Sequence, residues 1–220
     1  MEHIVELQNV GKRYPHGEEA LTNINFTLKF GEMAFLTGHS GAGKSTLLKL
    51  IAAIIEPSAG EIKVAEQNIS HLTRRGISSL RRSLGMVFQD SHLLENYTVF
   101  DNVALPLNLA GFSSREITVR VRETLGVVGL LEKSKRYPET LSVGERQRVS
   151  IARAVVTKPP LLLADEPTGN LDHELALEIM NLFIELNKSG ISLLIATHDL
   201  ALIAPLRYRI LTLKKGALLA

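Results

Sequence analysis

Apolar and polar residues alternate along the first 35 positions. Ile4, Val5, Leu7 and Val10 are followed by Leu21, Ile24, Phe26 and Leu28, with breaks at Tyr14-Pro15-His16-Gly17 and Phe30-Gly31. This period predicts a small antiparallel sheet with one face on a core. Gly60, Ile62, Val64 and Ile69 predict a further strand or hairpin in it. Met33–Thr37 is an unbroken apolar run of strand length, and Leu47, Leu48, Leu50, Ile51, Ile54 and Ile55 then predict a helix from Ser45 to Ile55, stopped by Pro57. Residues 84–88 predict a strand ending at Gln89.

From about 91 to 158 the period is helical. Ser113 or Ser114, with Glu116 just inside, predicts a capped helix whose inner face is Ile117, Val121, Leu125 and Val128. A second helix starts near Gly144 and turns Val149, Ala152, Val155 and Val156 inward. Strands return at Leu161–Ala164 and Ile191–Ala196, with a helix between them carrying Leu175, Ile179, Leu182, Phe183 and Leu186. Ile210–Leu219 reads as a hairpin. The pattern predicts one α/β domain over residues 1–220, with an antiparallel β-subdomain and a helical subdomain inserted at about 90–158. In such a core the loops after parallel strands share one ligand-binding edge.

Composition narrows this only slightly. The 220 residues carry 25 basic and 23 acidic side chains, so net charge does not point to nucleic acid. Arg74-Arg75 and Arg81-Arg82 form a local basic cluster, either a solvated face or a contact for an acidic partner or an anionic lipid surface. There is no cysteine, which excludes disulfides and thiolate metal sites. Met1–Val10 lacks a signal peptide's apolar stretch, and no run approaches the ~18 apolar residues of a spanning helix. The expectation is a soluble chain that reaches a membrane only through a partner.

The predicted strand ends carry the chemistry. Gly38-His39-Ser40-Gly41-Ala42-Gly43-Lys44-Ser45 is a complete phosphate-binding loop between a strand and a helix. Its glycines let successive N–H groups turn toward an anion, Lys44 supplies a point charge, and Ser45 offers a hydroxyl to Mg²⁺. Leu161–Ala164 runs into Asp165-Glu166. Asp165 is placed to hold a phosphate-bound metal and Glu166 to orient and deprotonate a water. His198 follows the next strand, in reach of a terminal phosphate, and Gln89 ends another, in reach of Mg²⁺ or the water. Leu141-Ser142-Val143-Gly144-Glu145-Arg146-Gln147-Arg148 opens a helix. Ser142 and Glu145 form a capping box, and the same helix end is an anion site.

The order of these segments, together with Asn170-Leu171-Asp172, resembles that of the ATP-binding cassette (ABC) ATPases over essentially the whole chain. The resemblance implies ATP and Mg²⁺ as ligands. It implies that Tyr14 stacks on adenine, and that Gly38 to Ser45 and Thr46 hold phosphates. Ser45, Gln89 and Asp165 would hold the metal. Glu166 would be the base, Asp172 the D-loop aspartate and His198 the switch. It also implies a head-to-tail homodimer in which Ser142 and Gly144 of one chain close on ATP held by the other.

Phe35–Ile51, Phe88-Gln89-Asp90 with Leu93-Leu94, and Asp101–Ala104 are most similar to the cell-division branch. Its members work with an integral membrane partner on the cytoplasmic face of the bacterial inner membrane, at the division site. There they relay ATP-driven shape change to cell-wall hydrolases. The lipoprotein-release and macrolide-export types share the DEPTGNLD segment and stay open. A soluble DNA-repair ABC ATPase and a P-loop kinase fit less well, since the chain has neither a long heptad stretch nor cysteine. No nucleic acid is expected. One departure stands out: the family's signature has glycine where this chain has Val143. A β-branched residue resists positive φ and adds bulk near a phosphate. The expectation is a slow ATPase that Val143→Gly accelerates.

Overall fold

The computed structural model describes residues 2–15, 17 and 19–219. His16, in the predicted turn after Tyr14-Pro15, lies outside them. The N-terminal alternation forms β1 (His3–Arg13) and β2 (Glu19–Lys29), paired antiparallel with Leu7 opposite Phe26. β4 (Ala59–Val64) pairs on the other side of β1, and β5 (Gln67–Asn68) closes the sheet in the order β2-β1-β4-β5.

The second sheet holds β3 (Met33–Thr37), β6 (Leu84–Val87), β7 (Leu161–Asp165), β8 (Ser192–Ala196), β9 (Arg209–Lys214) and β10 (Ala217–Leu218), in the order β10-β9-β3-β8-β7-β6. β9, β3, β8, β7 and β6 run parallel, with Phe35 level with Ile195 and Val87 level with Ala164, and β10 pairs antiparallel with β9 at the edge. Gly38, Gln89, Glu166 and His198 therefore emerge on one edge.

Both faces of this sheet are covered, which explains why β7 and β8 are continuous apolar runs. Leu161, Leu163 and Leu194 point into a core shared with the first sheet and with α1 (Lys44–Ile51). Leu162, Ala164, Leu193 and Ile195 point the other way, onto Ile179 and Phe183 of α6 (His173–Lys188) and Ile151 of α5 (Val143–Val155). Each fully buried Leu or Ile contributes about 1.5–3 kcal/mol. A third core joins Val103 and Leu107 of α3 (Val99–Leu109), Val121 and Leu125 of α4 (Ser114–Val127), and Val149 of α5. Ser113 is the cap of α4, and its hydroxyl and Glu116 complete a capping box.

The predicted and observed elements differ in several places, α3 among them, since the helical period set no bounds for it. α1 ends at Ile51, short of Ile55, because the chain leaves it through Ala53 at φ 53, and Ile54 is exposed. The segment around the arginine pairs is a helix, α2 (Arg74–Ser83), capped by Thr73. The C-terminal hairpin exists, but its first strand also lies parallel to β3 inside the main sheet.

Candidate active site

β3 is buried along its whole length and delivers the phosphate-loop residues to the sheet edge. Two of the loop's glycines have no room for a side chain. A Cβ at Gly38 would sit 2.3 Å from the Leu213 carbonyl oxygen, and one at Gly43 would sit 2.7 Å from that of Ala20. Gly43 is also left-handed, at φ 106, a backbone that glycine adopts without penalty. Gly43 precedes α1 and makes no side-chain cap. The other helices of eight residues or more, α2 to α6, each have one, from Thr73, Thr98, Ser113, Ser142 and Asp172. The first N–H groups of a helix need an acceptor, so α1, with no cap of its own, begins where an external anion fits.

Lys44 is buried in this loop. Its Nζ donates to the Gly38 carbonyl at 2.8 Å and the His39 carbonyl at 3.4 Å, and lies 3.3 Å from Glu166 Oε1. The other Glu166 oxygen accepts from the His198 backbone N–H at 3.3 Å and lies 2.9 Å from His198 Nδ1. Glu166 itself is held left-handed, at φ 48, with its N–H on the Ala196 carbonyl at 2.9 Å. A glutamate costs energy in that conformation, and such backbone is found where a side chain must be aimed. Three segments remote in sequence thus meet in one cluster.

These residues line a cavity of about 870 Å³ with Tyr14, Ser45, Thr46 and Gln89. The Tyr14 hydroxyl is 3.3 Å from Thr46 Oγ1. The sequence did not mark the opposite wall, where Thr212, Leu213, Lys214 and Leu219 come from the C-terminal hairpin and Leu200 from the segment after His198. Only the β3–β9 pairing brings them there, and no local pattern reports it.

Asp165 does not line the cavity, yet its Oδ1 is buried without a hydrogen-bond partner. An orphaned carboxylate oxygen at a strand end is an acceptor without a donor, which suits a hydrated cation just outside it. Among the described residues no three His, Asp or Glu side chains converge as a metal cage. Ser45, Gln89 and Asp165 offer oxygen donors of the kind Mg²⁺ takes, one or two from protein with water and phosphate completing the shell.

Ser142, Gly144 and Asp172 lie outside the cavity. Ser142 caps α5 in a reciprocal box: its Oγ accepts from Glu145 N–H at 3.3 Å, and Glu145 Oε2 accepts from Ser142 N–H at 3.0 Å. The Lys133 ammonium, then the Ser142 N–H, hold the Glu145 carboxyl below its usual range. Asp172 caps α6, accepting from Leu175 N–H at 2.9 Å. Gly144 has no room to spare, since a Cβ there would meet Leu175 at 3.3 Å.

Val143 is the first residue of α5, and its φ is not positive, so the backbone accepts the β-branched side chain. Its backbone needs no glycine, so only the bulk of its half-exposed side chain distinguishes it. It borders a smaller cleft of about 370 Å³ with Gln89, Gln147 and Asn170. Arg153 of α5 ties this cleft to the loop after Gln89, donating to Ser91 and His92 carbonyls at 2.7 and 2.8 Å. Burial pulls its guanidinium pKa down from the ordinary arginine value.

The ABC transporter family model matches residues 21–169, which includes the phosphate loop, Gln89, the α5 signature and Glu166. This chain belongs to the ABC ATPases. The cell division ATP-binding protein FtsE of Escherichia coli K12 is 54% identical over 98% of the chain and 97% of that protein. FtsE of Haemophilus influenzae is 50% identical over 98% of the chain and 99% of that protein. Among solved structures, the ATP-binding cassette MJ0796, dimeric in a post-hydrolysis state and bound to ADP and Pi, aligns at TM-score 0.89. It is 36% identical, over 98% of the chain and 97% of that structure. As an ABC ATPase resembling FtsE, the chain binds adenine nucleotide in a family that hydrolyses ATP.

Proposed function

We propose that this chain is the Mg²⁺-dependent ATP-hydrolysing subunit of a bacterial cell-division complex. It works as a homodimer with an FtsX-like integral membrane partner and passes ATP-driven shape change to cell-wall hydrolases. The likeness to FtsE along the whole chain supports the division assignment. The split of the site carries the mechanism: Lys44, Glu166 and His198 share a cavity that Ser142, Gly144 and Asp172 do not reach.

In this reading Tyr14 offers its ring to adenine, while the free N–H groups at the start of α1 take phosphate oxygens. Lys44 exchanges the Gly38 carbonyl and Glu166 for the outer phosphates. Released from Lys44 and still held by His198, Glu166 takes a proton from the attacking water. Ser45, Gln89 and Asp165 would hold Mg²⁺, which would supply positive charge to the phosphate oxygens. Ser142 and Gly144 of the second copy complete the phosphate shell, and Asp172 sits at the junction between copies. His198 and Gln89 sense the terminal phosphate and report its loss.

Among the described residues no helix is long and apolar enough to cross a membrane. Attachment to the cytoplasmic face of the inner membrane then falls to the partner, seated beside Gln89 and the helices after it. The test is purification of the tagged chain from detergent-solubilised membranes, with mass spectrometry of what accompanies it. An FtsX-like protein is expected. A lipoprotein-release or macrolide-export permease in its place would overturn the division assignment while leaving the ATPase intact.

A further inference from the structure

The basic cluster that the ATPase reading leaves unused lies on one face of α2. From residue 67 to residue 89 there is no Asp or Glu, and there are four arginines. The stretch carries +4 in a chain whose net charge is +2, so the remainder is −2. Arg74, Arg75, Arg81 and Arg82 fall within an arc of roughly 120° on the helix. Serines 78 and 79 lie on the same exposed side, and Leu80 is buried opposite. None of the four takes part in an ion pair among the described residues. Arg81 alone is committed internally, donating to the Ala53 carbonyl.

The placement runs against helix stability. Arg74 and Arg75 occupy the first turn, where the dipole favours acids, and that turn contains no acid. Gly76 and the three serines are weak helix formers. Arg74 and Arg75 do not serve the helix they sit on, and although Arg81 and Arg82 suit its last turn, only Arg81 is tied down, which leaves three heads for a ligand outside the chain.

We infer that this face of α2 adsorbs to an anionic phospholipid surface. A peptide is bound along a groove or a sheet edge, and neither cavity described above includes an α2 residue. A convex face of arginines spaced by serines, without an exposed aromatic, instead suits the plane of phosphate headgroups. It attracts without inserting. Each arginine near such a surface raises binding about fivefold, and the effect fades within a Debye length. Three free guanidiniums give weak adsorption, enough to orient a chain that another contact already holds near the bilayer. The inference rests on charge and shape and stands apart from the division assignment.

The test is flotation of the purified chain with phosphatidylcholine vesicles, with and without phosphatidylglycerol, at low salt and at ~0.15 M salt. Binding is expected only with phosphatidylglycerol and should weaken with salt. The triple variant Arg74→Gln, Arg75→Gln, Arg82→Gln should lose about 100-fold in partitioning while keeping its ATP turnover. A control with the same charge change elsewhere (Arg115→Gln, Arg122→Gln, Lys135→Gln) should lose less than about threefold. Equal losses in the two triples would overturn the inference. So would a wild-type chain that ignores anionic vesicles, or one that ignores them but binds polyglutamate through the same arginines.

Discussion

Replacing Glu166 by glutamine separates what this carboxylate does for the nucleotide-free chain from what it does in catalysis. The change keeps the side chain's size and removes its charge. In the structure that charge lies 3.3 Å from the Lys44 ammonium and 2.9 Å from His198 Nδ1, with the Glu166 side chain only 14% exposed. At 3.3 Å and an effective dielectric of about 20, the attraction to Lys44 is roughly 5 kcal/mol before desolvation offsets most of it. ATP phosphates must compete with this contact, so the variant should bind ATP at least as tightly as wild type. Loss of the proton acceptor should slow turnover by about 10²–10⁴-fold, roughly 3–5 kcal/mol on the barrier. Steady-state phosphate release and equilibrium titration with a fluorescent ATP analogue measure the two effects on one preparation. Turnover within about threefold of wild type would show that Glu166 is not the base. Weakened ATP binding would show that it supports Lys44 rather than competing for it.

Four further outcomes follow from the same geometry. Gly43→Ala should abolish nucleotide binding, measured by the same titration, because its Cβ would lie 2.7 Å from the Ala20 carbonyl oxygen at a φ that suits glycine. Ser142→Ala should cost about 1 kcal/mol of stability through the lost cap, read from denaturant midpoints, and should lower turnover far more than that loss accounts for. Val143→Gly should raise turnover by removing bulk from the α5 start, and an unchanged or lower rate would contradict this. Glu145 is held below its usual pKa, so its contribution to the α5 start is present at neutral pH and lost as pH falls through the folded-state value. Acid unfolding of Glu145→Gln should accordingly be less steep than that of wild type.

The parts legible in the sequence were those whose cause is local. β1 and β2 show their period because one face of each meets the core and the other meets solvent. The α4 start was readable from Ser113 and Glu116, which satisfy each other's backbone within one turn. The phosphate loop was readable because Gly38 and Gly43 answer nearby steric demands and Gly41 a left-handed backbone. What stayed hidden depends on distant partners. α2 buries only Leu80 fully and otherwise presents arginine, serine and glycine, so no apolar stripe reveals it. The end of α1 is masked by Ile54 and Ile55, which continue the helical spacing after the backbone has turned at Ala53. The sequence placed Lys44, Glu166 and His198 on one edge, but their direct contacts and the hairpin wall of the cavity come from parallel strand order. Whether Val143 strains its backbone was not legible, because a motif letter does not report where a helix begins.

The bare start of α1 ties the chain's sturdiness to its cargo. Among the described residues, five of the six helices of eight residues or more are finished by side chains of their own, while α1 leaves its first amides for a phosphate. Nucleotide is thereby the last piece of this fold as well as its fuel. At a hundred times its dissociation constant a ligand adds about 2.7 kcal/mol to the folded state, a large share of a typical domain's stability. Stripping the chain of nucleotide would therefore weaken this protein as well as idle it.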